Sequence, residues 1–247
     1  MTPETKKYQK NDFWDNIEVS YPLYPTVRHR KRLIIKMFKR FCSVDKDFFV
    51  FDYGCGTGDI ILAIKNNYQL RDEQIGGSDM SEKSIKICRR KIASPYFYQE
   101  LYPNLGKKCD CIICSEVIEH AVDYHKILHW VQANLRPGGV FLLSTQGGKM
   151  HKIDEYSGHV HTFEVENLKR NLEDIGFKVV YSRQWGWPLF AWQKMLTDFN
   201  FDRIKNSYLE GNPSKIKKYF FYLVYLIYFI EDMINYGPQI YICATKN

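Results

Sequence analysis

The sequence predicts an α/β domain built on a doubly wound, mostly parallel sheet. Three observations carry the prediction. Short apolar runs alternate with helix-period segments between residues 47 and 182. A glycine-rich turn follows the first of those runs and opens a helix. A last strand-like run at 239–244 comes after a long stretch without strand signal, which makes seven strands with a helical insertion before the last one. At 247 residues one large domain is expected. With 45% hydrophobic and 26% charged residues, the chain is not a disordered tail, a collagen or a coiled coil.

Residues 1–23 are polar and aromatic without a period, and Tyr8 and Trp14 suggest a lid. From 24 to 41, Val27, Leu33, Ile34, Met37, Phe38 and Phe41 recur at helical spacing. The run 47–52 reads as a buried parallel strand. A helix at 57–67, a strand at 74–79 and a helix from its cap Ser81 to about 92 follow, with Asp79 and Glu82 near its positive end. A weak strand spans 96–101, a stronger one 109–114, and a helix 124–135. Arg136-Pro137-Gly138-Gly139 is a turn into the fifth strand, 140–145. A helix at 164–175 is closed by Gly176, before the sixth strand at 177–182. The partition is therefore 1–44 as N-terminal lid and helix, 45–187 as core, 188–236 as helical insertion and 237–247 as last strand.

The net charge of +7 admits phosphorylated metabolites, nucleic acid or an anionic membrane as partners, or serves solubility alone. Seven cysteines, an odd number in a long chain, read as reduced thiols. Met1-Thr2-Pro3-Glu4-Thr5 carries no secretory pattern, and no apolar run reaches the roughly 18 residues of a membrane span. A cytoplasmic protein is expected. The apolar, aromatic stretch 219–230, preceded by Lys215, Lys217 and Lys218, is left between a buried or dimerising helix and docking on an anionic membrane.

The strongest chemical signal is Phe51-Asp52-Tyr53-Gly54-Cys55-Gly56-Thr57-Gly58-Asp59. Glycines let the backbone turn sharply and approach a ligand, and the following helix offers free N–H groups. The spacing is G-x-G-x-G, which departs from the dinucleotide fingerprint G-x-G-x-x-G. Asp79, 21 positions beyond Gly58, sits where an acid accepts hydrogen bonds from a ribose diol. Together these residues describe a nucleoside pocket at the carboxyl edge of the sheet.

With Gly77-Ser78-Asp79-Met80-Ser81, the segment 109–120 and Leu135-Arg136-Pro137-Gly138-Gly139-Val140-Phe141-Leu142, the chain resembles a class I S-adenosylmethionine-dependent methyltransferase over roughly 45–185. The resemblance implies a Rossmann-like seven-stranded sheet and S-adenosylmethionine as cofactor, with S-adenosylhomocysteine as product. It also implies that Asp52, Gly54, Cys55, Gly56 and Gly58 hold the methionine end. By the same resemblance Asp79 holds the ribose, Met80 lies against the adenine with Glu100 or Leu101 near it, and Ser115 and Glu116 line the pocket.

Cys114-Ser-Glu116-Val-Ile-Glu119-His120 is a second constellation. On a helix Glu116, Glu119 and His120 would share one face, able to bind a divalent cation. Gly158-His159-Val160-His161-Thr162-Phe163-Glu164 offers another histidine. The combination resembles the O-methyltransferases of ubiquinone biosynthesis, which share Glu-x-x-Glu-His. It also resembles small-RNA 3′-terminal 2′-O-methyltransferases, whose two Glu and two His hold a metal; there His161 takes the fourth place. Glu116, Glu119, His120 and His161 are thus the expected metal set. Mn²⁺ or Zn²⁺ suits the histidines, while Mg²⁺ favours more oxygen ligands. Three readings stay open: that metal set, His120 or His161 as metal-free base with Glu116 beside it, and structural acids.

Cys111 and Cys114 point to opposite faces of a strand, so Cys-x-x-C is not a metal site. The loops Thr145-Gln146-Gly147-Gly148-Lys149-Met150-His151 and Trp185-Gly186-Trp187-Pro188 fall at the ligand edge. The two tryptophans either stack on a substrate ring or pack the insertion. The segment 159–188 with its aromatic insertion resembles bacterial methyltransferases of surface-polysaccharide and glycan pathways. This favours a hydroxyl on a sugar, glycan precursor or phosphorylated metabolite as acceptor. An RNA terminal ribose comes second, since no arginine-rich patch or RNA-binding appendage is present. A non-catalytic methyltransferase-like binding subunit is the third reading.

Overall fold

The computed structural model describes residues 21–202 and 213–247. The expected lid residues Tyr8 and Trp14 lie outside them. Helix α1 (Pro25–Phe41) buries Leu33, Ile34, Met37 and Phe38 of the expected stripe, leaves Val27 and Phe41 partly buried, and adds His29, which the apolar pattern did not mark. Seven strands form one sheet: β1 (Val50–Tyr53), β2 (Ile75–Ser78), β3 (Tyr96–Tyr98), β4 (Cys109–Ser115), β5 (Leu135–Gln146), β6 (Phe177–Trp185) and β7 (Gln239–Lys246). Their order is β3-β2-β1-β4-β5-β7-β6, with β7 antiparallel to both neighbours and every other pair parallel. Strands buried on both faces read as continuous apolar runs, which is why β1 and β4 were legible as strands.

Helices α2 (Asp59–Tyr68), α3 (Glu82–Lys91), α4 (Tyr124–Asn134), α5 (Lys152–Ser157) and α6 (Val165–Asp174) connect the strands. Among the described residues two more, α7 (Leu189–Phe199) and α8 (Lys215–Glu231), lie between β6 and β7. Ser81 caps α3 by accepting a hydrogen bond from the Ser84 amide at 3.2 Å. The core lies on both faces of the sheet. Cys111 and Ile113 belong to one cluster, Ile112 and Cys114 to the other, so the two cysteines of Cys-x-x-C do face apart as small apolar residues.

Candidate active site

The carboxyl ends of β1, β2 and β4 meet at one edge of the sheet. After β1 the chain turns through Gly54, whose φ of 74° is open to glycine; a Cβ there would lie 2.3 Å from Val117 Cγ2. The Gly54 and Cys55 amides donate to the Ser78 carbonyl at 2.8 and 2.9 Å, which ties the turn to β2. Gly56 donates its amide to Asp79 Oδ2 at 2.9 Å, and Ser81 donates to Asp79 Oδ1 at 2.8 Å. Asp79 is thereby fixed at the head of α3.

Beside it opens a cleft of about 530 Å³, its open side included, lined by Gly54, Asp79, Met80, Glu100, Leu101 and Tyr102. Val117, Val122 and Ile127 form the facing apolar wall. The structure therefore brings Gly54, Asp79, Met80, Glu100 and Leu101 together, as expected from the sequence. Cys55 is buried under the turn. A Cβ on Gly56 would meet nothing within 4 Å, so this stretch of backbone borders open space. Gly58 is the N-cap of α2. The apolar wall escaped the sequence reading, because a side chain before a helix shows no signal of which way the turn aims it.

Asp52 sits beneath the turn. It is buried, its Oδ2 has no partner, and burial pushes its pKa up to about 8, with the neighbouring Asp79 adding to the rise. An orphaned carboxylate oxygen under a glycine turn suits a cationic ligand group. With the acid-edged cleft beside it, the residues present fit the amino-acid end and the ribose of S-adenosylmethionine.

The second constellation differs from expectation. No helix starts at Glu116. Its amide donates to the Ser144 carbonyl at 2.9 Å, so pairing with β5 continues to this residue, and its φ is 57°. Only a three-residue 3₁₀ turn, Ile118–His120, follows. Glu116 is turned away from a metal role: its Oε1 accepts from Ser144 Oγ at 3.2 Å and Gln239 Nε2 at 2.6 Å, and Arg30 lies 3.4 Å from Oε2. Ser115 shares a hydrogen bond with Ser144 at 2.8 Å, and neither Ser115 nor Glu116 lines the cleft.

His161 is likewise displaced from the expected set. Its Nε2 is 3.3 Å from the Val122 carbonyl, and its ring packs on Tyr124. The residue that joins Glu119 and His120 is His159, with one ligand atom from each of the three within 4.8 Å of the others. The Glu119 carbonyl accepts the amides of Val160 at 2.8 Å and His161 at 3.2 Å, which fixes the register of this segment. The rings of His120 and His159 meet edge to face at 4.5 Å.

Glu119 is fully buried; Thr145 donates to its Oε2 at 2.8 Å, and Oε1 has no partner. Burial raises its pKa, and Glu116 raises it further. His159 has an unpartnered, buried Nδ1. Burial lowers its pKa to about 3, His120 adding to the fall, so it is a neutral imidazole with a free lone pair. A buried carboxylate and two imidazoles at this spacing, with unpartnered atoms on Glu119 and His159, fit a divalent cation. The caps of the same turn, Val117 and Ala121, line the cleft, whereas Glu119, His120 and His159 themselves do not.

The tryptophans after β6 pack the insertion. Trp185 is 1% exposed and stacks on His29 at 4.0 Å, while Trp187 lies 6.3 Å from Trp192 and 5.9 Å from Tyr236. His151 pairs with Asp198 of α7 at 2.7 Å.

A doubly wound sheet with an acid-edged cleft beside a glycine turn defines a nucleoside-binding α/β protein. A family model described as "Methyltransferase domain" matches residues 27–182, so the chain belongs to that family and has the architecture of class I S-adenosylmethionine-dependent methyltransferases. The ubiquinone biosynthesis O-methyltransferase of Chromobacterium violaceum is 30% identical over 104 residues, covering 39% of this chain and 43% of that protein. That of Bordetella pertussis is 30% identical over 106 residues, covering 39% and 42%. The matched region is thus about two fifths of these relatives' length. Among solved structures, phosphoethanolamine N-methyltransferase 2 of Haemonchus contortus in complex with S-adenosyl-L-methionine superposes with a TM-score of 0.56 at 17% identity, covering 95% of this chain and 60% of that one. A SAM-dependent methyltransferase from Archaeoglobus fulgidus gives 0.53 at 18%, covering 88% and 94%. At such identities the likeness is one of fold.

Proposed function

We propose that the protein transfers the methyl group of S-adenosylmethionine to a hydroxyl of a small polar metabolite, sugar or phosphorylated glycan precursor, as in bacterial surface-polysaccharide biosynthesis. One observation carries the reading: the turn that holds Glu119 and His120, which cluster with His159, sets its caps Val117 and Ala121 in the wall of the cleft that Asp79 and Glu100 edge. The residues at 45–187 bind the cofactor in this reading, and 188–236 is an insertion in the same catalytic unit. When bound, the cofactor supplies an electrophilic methyl on a sulfonium. Asp52 and Asp79 hold it at its amino-acid end and ribose, and the apolar wall at Val117 and Val122 keeps water from the adenosine. The acceptor oxygen attacks in line, the C–O bond forms as the C–S bond breaks, and alignment supplies most of the rate. Without a cation, the hydroxyl proton passes to the imidazole of His120, on the turn whose caps line the cleft. A divalent cation held by Glu119, His120 and His159 would acidify that hydroxyl. Support for oxygen as acceptor comes from the names of the ubiquinone-biosynthesis relatives. The RNA-ribose reading loses one of its two motives, the set of two Glu and two His around one ion, since Glu116 and His161 are engaged elsewhere; the net charge of +7 is its other support.

Methyl-labelled S-adenosylmethionine incubated with a fractionated bacterial extract tests the proposal. Label is expected in the small-molecule or glycan-precursor fraction and is lost with a chelator. Label in RNA, or none in any fraction while S-adenosylhomocysteine still binds, would overturn it. His159→Ala should cut turnover about tenfold or more with cofactor affinity unchanged, and His161→Ala should leave turnover near wild type.

A further inference from the structure

Apart from Tyr102, Val122 and Val180, every large apolar side chain left exposed among the described residues lies between positions 187 and 236. Helix α8 buries only one seam against the body. Phe221 packs 5.2 Å from Tyr24, Val224 against the core, and Tyr228 within it beside Trp185. The rest of its perimeter is apolar and open: Ile216, Tyr219, Phe220 and Ile230 are 83%, 65%, 59% and 64% exposed. Helix α7 adds Trp192, Met195, Leu196 and Phe199 at helical spacing. The contacts of Trp187 with Trp192 and Tyr236 join the two faces. Soluble monomers seldom leave so much contiguous apolar surface in water.

Charge identifies the occupant. Between 215 and 236 the only acids are Glu231 and Asp232. Glu231 accepts the amides of Leu189 and Phe190, and Asp232 pairs with His29 and Arg32. Lys215 and Lys218 stand exposed at the head of α8, and Arg28 of the adjoining α1 lies over the Tyr222 and Tyr225 rings. A second copy would bring the same lysines, in a chain of net charge +7, against them. A bilayer rich in acidic headgroups offers the opposite charge, and Trp and Tyr beside Lys suit its interfacial zone. No helix among the described residues is long and apolar enough to cross, so α8 lies in the plane.

We propose that α7 and α8 form a docking face for an anionic lipid bilayer. The face begins just after Trp185, where β6 ends. Since β6 and β5 are both antiparallel to β7, this is the edge at which the cleft opens. An acceptor held at the membrane would therefore meet the cleft; that last step rests on the methyl-transfer reading, whereas docking does not.

Co-sedimentation of the full chain with vesicles tests docking without any need for turnover. Binding is expected to vesicles in which roughly a third of the lipid is phosphatidylglycerol, and not to pure phosphatidylcholine. Lys215→Glu with Lys218→Glu should weaken binding about fivefold or more per residue. Phe220→Ser with Ile227→Ser should weaken it about tenfold or more while leaving the unfolding midpoint in place. Absence of binding to anionic vesicles would overturn the proposal, as would equal binding to both lipids that ignores the lysine changes. A stable dimer in light scattering that the two serine changes dissolve would assign the face to a second copy instead.

Discussion

With Asp52 at the amino-acid end of the cofactor, as proposed, cofactor binding should be sensitive to pH. Burial with Asp79 nearby pushes its pKa up to about 8, so below that value the side chain is neutral and offers little to an ammonium group. Ionisation turns it into a buried counter-charge. S-Adenosylhomocysteine, which carries that ammonium, should bind more tightly from pH 6 to 8, by up to about tenfold per unit, and level off above. Asp52→Asn should abolish the slope and weaken binding at pH 8.5. Calorimetry across this range decides the point, and a flat wild-type curve would remove Asp52 from the site. At this scale the sequence was partly legible. The spacing of acid, glycines and second acid pointed to Asp79 at the ligand edge, and the methyltransferase resemblance added Met80, Glu100 and Leu101. The choice between His159 and His161 was hidden, because it depends on how the Glu119 carbonyl seats the 158–163 segment through the amides of Val160 and His161, 41 and 42 residues further on.

Single elements follow local chemistry until tertiary pairing overrides it. The cap at Ser81 and the glycine closing α6 were visible in the sequence because their signals are local. The helix on which Glu116, Glu119 and His120 would share a face does not form: β4 keeps its partner β5 up to Glu116, and Asp123 already caps α4, so only a 3₁₀ turn fits between. The junction of α1 with the end of α8 is similarly invisible locally. There the fully buried His29 faces Asp232 at 3.1 Å, with Arg32 on the same carboxylate. His29 and Arg32 hold the Asp232 carboxyl down at about 2, and burial lowers the His29 pKa. Both shifts favour the form present at neutral pH. Stability should therefore fall as pH drops below about 6.5, where unfolded His29 gains a proton the fold resists, and fall further below about 4 as Asp232 is titrated. Asp232→Ala should cost about 2 kcal/mol at pH 7 in urea unfolding, leaving Arg32 and Arg183 without their counter-charge, and flatten the lower limb. An unchanged acid profile would show that the junction does not hold the fold.

On the scale of the whole molecule, alternation of strands and helices was enough to predict the sheet, but not the seat of β7. Residues 239–244 announce a strand locally; that it returns between β5 and β6 depends on the insertion, which is long enough to carry the chain back. The insertion has two duties that its sequence blurs, since 219–230 is apolar on nearly every side and carries no period to say which face is core. The structure separates them at adjacent positions. Tyr228 is 1% exposed and fills the core against Trp185 and Phe190, whereas Ile227 is 43% exposed. Tyr228→Ala should then cost about 3–4 kcal/mol, lowering the melting midpoint by roughly 6–16 °C. Ile227→Ser should stay within about 0.5 kcal/mol of wild type. Thermal unfolding of the two variants side by side measures this directly. Equal losses would mean that Ile227 is covered in solution and that α8 has no free face, while the expected asymmetry leaves one side of the helix to the sheet and the other to whatever surface it meets.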